Sequence, residues 1–135
     1  MTYFEHQFQV QFHELDPAGI MFFARLFNHA HDAYAALMAE AGMSLKSILE
    51  AGAYRLPLVH AEADYHHPLL LEDNICVRVQ STTIGNSSFS FEYAFLKQDL
   101  CCATLNTSHV FLLESTNAST SIPDSLKRRL RNYSN

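Results

Sequence analysis

Three cysteines are too few, and an odd number, for a disulfide framework, and Cys101 and Cys102 are neighbours in the chain. Free thiols of this kind suit a reducing compartment. Basic residues are also scarce: Lys and Arg total 9 against 14 Asp and Glu, a net charge of −5 at pH 7. Nucleic acid and anionic lipid repel such a surface unless its cations cluster, which argues against non-specific nucleic-acid binding. No stretch approaches the roughly 20 apolar residues of a membrane span. Glu5, Glu14 and Asp16 interrupt the region where a signal peptide needs a continuous apolar run. Without a secretory signal, the N-x-[ST] triplets at Asn86, Asn106 and Asn117 are chance matches. Together these absences predict a cytoplasmic protein with no membrane partner.

Several catalytic motifs are missing as well. There is no G-x-S-x-G elbow, which argues against a serine esterase of the α/β-hydrolase type. Despite 8 histidines, neither H-E-x-x-H nor paired cysteines offer a zinc set, and no metal is expected. His29 and His31, two apart, point to different faces of a helix. His60, Glu62, Asp64 and His66 share one strand face, which reads as subunit interface or solvated surface. The cysteines lie in strand patterns with no His–Cys motif, so a thiol nucleophile is disfavoured.

What is present is the balance of a folded domain. At 135 residues, 48% hydrophobic and 17% charged, the chain reads as one globular domain over 1–135, with no linker and no internal repeat. From Thr2 to Leu15, Phe4, Phe8, Val10 and Phe12 share one parity with His6, which predicts a strand. Asp16-Pro17-Ala18-Gly19 ends it. From Phe22 the period changes: Leu26, Phe27, Ala30, Ala33, Tyr34, Leu37 and Met38 recur at three- and four-residue steps, predicting a long helix. Gly42 is its C-cap signal, and Ser44 predicts the N-cap of a short helix over Leu45 to Ala51, closed by Gly52.

Arg55 to His67, Ile75 to Gln80, Ser88 to Phe95 and Cys101 to Leu113 alternate at period two, with turn signals at Gly85-Asn86 and Gln98-Asp99. Phe89, Phe91, Tyr93 and Phe95 are first of all sheet core. Ser115 to Ser121 reads as a loop, and Pro123 opens a short basic helix or tail. A single helix buries only one face of an antiparallel sheet. The other face needs solvent or a partner, which predicts a homo-oligomer.

The segment from Leu15 to Phe23 carries the most chemistry. It places a carboxylate at a strand end, in a turn held by Pro and Gly, just before a long helix. The first amides of a helix have no intrahelical partner and carry partial positive charge. They can hold an anion, or the oxyanion that develops in acyl transfer. Asp16, just upstream, can attack a carbonyl or activate water. The same spacing fits an Asp that merely ends the strand and caps the turn, so spacing alone leaves both roles open.

The run Asp16-Pro17-Ala18-Gly19-Ile20, followed by aromatics and a long helix, closely resembles the active-site loop of the 4-hydroxybenzoyl-CoA thioesterase family. The resemblance implies the hotdog fold, an α+β architecture with an antiparallel sheet of about five strands wrapped around one long central helix. Leu56-Pro57-Leu58-Val59-His60-Ala61, followed by Asp64-Tyr65 and Pro68, is most similar to the 1,4-dihydroxy-2-naphthoyl-CoA hydrolases within that family, which act in phylloquinone (vitamin K1) synthesis. An acyl-CoA thioesterase is thereby implied, with Asp16 as nucleophile or general base. The backbone N–H of Phe23 would polarise the thioester carbonyl, Gly19 would permit its close approach, and His60 and Tyr65 would bind the acyl group. CoA enters as part of the substrate, and no separate cofactor is implied. The implied assembly is a homodimer or homotetramer with sites at the subunit interface.

The chain departs from the family at Ile84-Gly85-Asn86-Ser87-Ser88, where some members carry a basic cluster for the CoA phosphates and this sequence has no Lys or Arg. Lys127, Arg128, Arg129, Arg78 and Lys97 are the available cations, and none is assigned. Two rival expectations stand: a generic short-chain or aryl acyl-CoA or acyl-carrier-protein thioesterase, and a non-catalytic acyl- or CoA-binding module. A binder has no need of the Asp16 carboxylate. A hotdog dehydratase would set a His beside the carboxylate, and only His13 is near.

Overall fold

The computed structural model describes residues 3–134; Thr2, where the sequence starts the first strand, lies outside them. Strand β1 (Phe4–Gln9) is followed by a 3₁₀ turn at Phe12–Glu14, then α1 (Arg25–Glu40) and α2 (Leu45–Ala51). Next come β2 (Tyr54–Arg55), β3 (Leu58–Tyr65), β4 (Asn74–Ile84), β5 (Ser88–Lys97), β6 (Leu100–Val110), β7 (Leu112–Leu113) and α3 (Asp124–Arg131). Five strands form one antiparallel sheet in the order β1-β4-β5-β6-β3, and β2 pairs β7 in a separate ribbon. A sheet of this kind around one long helix is the architecture the sequence predicts. No helix among the described residues is long and apolar enough to cross a membrane.

The core forms where the two periodicities meet. Ile75, Val77 and Val79 of β4 and Phe89, Phe91, Tyr93 and Phe95 of β5 are buried at alternate positions. Against them α1 lays Leu26, Ala30, Ala33, Tyr34, Leu37 and Met38, all buried. Truncating any one of these aromatics to Ala costs about 3–5 kcal/mol, the ordinary loss for a filled core site. The short helix α2 is capped as expected: the Ser47 N–H donates to Ser44 Oγ at 3.1 Å, and Gly52 takes a left-handed φ of 69°.

Four boundaries differ from the sequence reading, each for a local reason. The first strand ends at Gln9 rather than Leu15, because Gln11 and Glu14 close a 3₁₀ turn, with the Glu14 N–H on the Gln11 carbonyl at 3.0 Å. Phe12 is consequently exposed, not core. The long helix begins at Arg25 rather than Phe22, since the Phe22 N–H is held by the Glu14 carbonyl at 2.8 Å. Pro57 splits the Arg55–His67 segment into β2 and β3, and the last strand stops at Val110, leaving Leu112–Leu113 to pair with β2.

A polar knot interrupts this core on β6, where Thr107 and His109 occupy buried positions. Thr107 Oγ1 lies 2.9 Å from the Tyr93 hydroxyl and 3.0 Å from His109 Nε2, and the Tyr34 ring stacks on His109 at 4.2 Å. Burial lowers the pKa of His109 from 6.5 to about 4, with the nearby His31 acting in the same direction. The folded pKa is therefore below the unfolded one, so protons bind the unfolded chain preferentially. Above pH 6.5 the group has no effect. Between pH 6.5 and about 4 it removes stability as pH falls, by roughly 3 kcal/mol in total. Denaturant melts across that window are expected to show this decline in the wild type and lose it in His109→Phe; an unchanged slope in the variant refutes the assignment.

Candidate functional site

The Asp16 loop is built by short-range bonds that the sequence dictates. Asp16 Oδ1 accepts the Ala18 N–H at 2.8 Å, the Gly19 N–H donates to the Asp16 carbonyl at 2.9 Å, and the Asp16 N–H donates to the Ile20 carbonyl at 2.9 Å. Gly19 has φ +80°, a left-handed conformation that disfavours any side chain, while a Cβ there would meet nothing within 4 Å. Glycine is thus required by the handedness of the turn and leaves its outer side open to an approaching molecule. Ile20 and Met21 then dock on the chain before β4, with the Met21 N–H on the Leu69 carbonyl at 2.8 Å.

The loop opens on a cavity of about 490 Å³. Asp16, Phe23, Leu26 and Tyr65 line it, as do His66 and His67. At the helix entry the first turn is tight: the Leu26 N–H reaches the Phe23 carbonyl at 3.4 Å, and the Phe27 N–H reaches the Ala24 carbonyl at 3.2 Å. Among the described residues neither the Phe23 N–H nor the Ala24 N–H has an acceptor. Phe23 lines the cavity beside the Asp16 carboxylate, and its free amide at the helix start can hold a carbonyl oxygen gaining negative charge. The Tyr65 hydroxyl donates to the Phe23 carbonyl at 2.5 Å, so edge strand β3 braces that turn. Partial burial raises the Tyr65 pKa and keeps this donor protonated.

Asp16, Phe23 and Tyr65 therefore meet at one cavity, with Gly19 shaping the turn between the first two. His60 does not join them within one chain. It lies five positions from Tyr65 on β3, hence on the opposite face of the pleat, exposed and 3.8 Å from Glu62 Oε1. Two groups of residues belong at the site although the sequence does not assign them to it, His66 reading there as subunit interface or solvated surface. His66 and His67 reach the cavity because their N–H groups both bond the Cys102 carbonyl, at 2.8 and 3.0 Å, a pairing set by tertiary structure. Buried Glu14 pairs with His29 of α1, whose ring stacks on Phe8 at 3.6 Å. Glu14 falls on the apolar parity of the first segment, and a carboxylate on a core parity is the signal that a partner is required.

The cations are placed away from the loop's own bonds. Lys97 pairs with Asp73 at 2.8 Å and Arg78 with Glu5 at 3.2 Å, while Arg129 donates to the Glu40 carbonyl at 3.4 Å. Among the described residues no three His, Cys, Asp or Glu side chains converge as a metal-binding group.

Residues 10–130 match the thioesterase-like superfamily. The chain is 33% identical over 126 residues to the 1,4-dihydroxy-2-naphthoyl-CoA hydrolase of Synechococcus elongatus, covering 91% of this chain and 93% of the relative. Among solved structures it is similar to a 1,4-dihydroxy-2-naphthoyl-CoA thioesterase from Synechocystis, with TM-score 0.89 and 25% identity over 95% of each chain. It also resembles a gentisyl-coenzyme A thioesterase, with TM-score 0.84 and 26% identity, over 93% of this chain and 98% of that one.

Proposed function

This chain belongs to the thioesterase-like superfamily, and from that premise we propose that it hydrolyses 1,4-dihydroxy-2-naphthoyl-CoA to 1,4-dihydroxy-2-naphthoate and CoA, the thioester step of phylloquinone synthesis. The observation that carries the reading is the likeness to hydrolases of that thioester along almost the whole chain. The site chemistry agrees with it: the Asp16 carboxylate and Phe23, whose amide has no acceptor among the described residues, line one apolar cavity.

In this reading the thioester carbonyl oxygen accepts the Phe23 N–H, and the carbonyl carbon lies against Asp16. Asp16 acts on that carbon, either directly, forming an anhydride that water then opens, or by taking a proton from the attacking water. Both routes break the C–S bond, release CoA as its thiol, and add hydroxide to the acyl carbon. Tyr65 holds the Phe23 turn in place, which keeps the donor still as charge develops. The CoA arm runs mostly along backbone, its nucleotide largely in solvent, since the β4–β5 turn has no cation.

The test is thiol release from a panel of thioesters: 1,4-dihydroxy-2-naphthoyl-, 4-hydroxybenzoyl-, short-chain and long-chain acyl-CoA. A kcat/KM for the naphthoyl thioester at least about tenfold above the others is expected. A stronger preference elsewhere overturns the substrate.

The active unit in this reading is a homodimer, or a pair of dimers, with its sites at the subunit interface. Support comes from β3, an eight-residue edge strand exposed at every position except Ala63, with an open row of backbone groups. A strand so bare suits pairing with a second copy. Light scattering is expected to give at least twice the 15.3 kDa chain mass, and a monomer refutes the assembly.

A further inference from the structure

Strand β3 ends in a bulge. Tyr65 pairs with Ala103 of β6, and then the N–H groups of both His66 and His67 donate to the single Cys102 carbonyl, at 2.8 and 3.0 Å. Two residues facing one on the neighbouring strand are the signature of a β-bulge, a device that re-aims side chains beside active sites. Here it brings two consecutive residues, which would alternate faces in a regular strand, to the wall of the Asp16 cavity. Both histidines are exposed, and among the described residues neither imidazole has a hydrogen-bond, ion-pair or ring partner. Tyr65, the residue before the bulge, reaches the Phe23 carbonyl with its hydroxyl, so the pair sits on the strand end that contacts the Phe23 turn.

Direct attack by a carboxylate on a thioester calls for an acid as well. The adduct can expel either the carboxylate or the thiolate. With ordinary pKa values of about 4 for a carboxyl and about 8.5 for an alkyl thiol, the carboxylate is the weaker base by more than about ten-thousandfold and the better leaving group. The adduct therefore reverts unless the sulfur is protonated as its bond breaks. Among the described residues, the side chains with nitrogen or oxygen in the cavity wall are those of Asp16, Tyr65, His66 and His67. Asp16 is the attacking group in this route. The Tyr65 hydroxyl is committed to the Phe23 carbonyl, and burial raises its pKa, which makes it a poorer acid. An imidazole gains and loses a proton near neutral pH, which suits it to donate in one step and accept in the next.

We propose that the His66–His67 pair supplies the proton that the departing sulfur needs. The inference rests on the thioesterase reading and selects its direct route. Asp16 adds to the carbonyl carbon, and the C=O electron pair moves to the oxygen held by the Phe23 N–H. That pair then re-forms C=O, the C–S bond breaks with its electrons on sulfur, and the imidazolium proton goes to the sulfur, leaving a thiol and an anhydride. Water adds to the acyl carbon, passing a proton to the now neutral imidazole, and Asp16 leaves as a carboxylate. In the general-base route Asp16 would hold the proton taken from water and could return it to the sulfur, so the histidines would be dispensable.

The experiment measures kcat/KM of wild type, His66→Asn, His67→Asn and the double variant on three thioesters of 1,4-dihydroxy-2-naphthoate, those of CoA, N-acetylcysteamine and 4-nitrothiophenol. N-acetylcysteamine carries the reactive end of CoA without its phosphates, and 4-nitrothiophenolate is stable enough to leave unprotonated. The double variant is expected to lose at least about a hundredfold on both alkyl thioesters and less than about threefold on the nitrothiophenyl ester, with the single variants dividing that loss between the two residues. Both positions are exposed and Asn keeps the N–H groups that form the bulge, so the variants are expected to fold, which thermal melts check. Equal losses on all three esters, the result for a merely structural bulge, overturn the proposal. A loss on the CoA ester alone also overturns it and makes the pair a phosphate contact. An unchanged double variant overturns the proposal while leaving the thioesterase reading in place, whereas a wild type that cleaves none of the three overturns that reading itself.

Discussion

Asp16→Asn is expected to lower kcat by about a thousandfold or more while leaving affinity for the thioester near that of the wild type. The substitution preserves shape, and its side-chain oxygen still accepts the Ala18 N–H that Asp16 Oδ1 accepts at 2.8 Å. The turn therefore survives, with Gly19 still supplying the left-handed residue it requires. What disappears is the negative charge and the basic oxygen, which an amide cannot replace in attacking a carbonyl or accepting a proton from water. The Phe23 amide remains in the cavity wall, so carbonyl binding persists. Steady-state kinetics with thioester titration separate the two parameters. A variant retaining a tenth of wild-type kcat would falsify the role of Asp16 and transfer the chemistry to another group. A loss confined to KM would make Asp16 a binding residue instead.

The part of this site legible in the sequence is the part made by neighbours in the chain. Asp16, Pro17 and Gly19 fix a turn through bonds spanning two to four residues, and Ser44 caps α2 in the same local way. The helix and the sheet core were also legible, because buried residues on α1 and β5 repeat at the periods their backbones impose. Contacts between distant segments were not. Period two continues through Phe12, yet the backbone has left the sheet by then, in a 3₁₀ turn whose buried Glu14 also pairs with His29 of α1. The resemblance sets His60 beside Tyr65 in acyl binding, yet their odd separation on β3 puts them on opposite strand faces. Thr107 and His109 sit on the buried parity of β6, a warning that polar side chains there need partners.

Glu14 offers the largest expected effect on stability among residues beside the site. It is 5% exposed, its Oε1 accepts the Gln11 N–H at 2.9 Å, and its other oxygen pairs with His29. Glu14→Ala leaves that imidazole, itself mostly buried and stacked on Phe8, without its acceptor. An orphaned buried donor together with the lost side-chain packing costs about 2–4 kcal/mol, which for a domain of this length lowers Tm by roughly 10 °C. The effect reaches catalysis because Glu14 spans the site's two halves. Its carboxylate bonds to α1 and its carbonyl holds the Phe22 N–H at 2.8 Å, one residue before the Phe23 donor, while Asp16 follows Glu14 itself by two residues. With the pair broken, Asp16 and the Phe23 amide are no longer fixed relative to one another, and kcat is expected to fall by about tenfold or more with KM little changed. His29→Ala should reproduce both losses, and the double variant should be less than additive by at least about 1 kcal/mol, since one interaction is removed in all three. Additive losses, or a melting temperature within about 2 °C of wild type for Glu14→Ala, would leave the pair without the bracing role its geometry indicates.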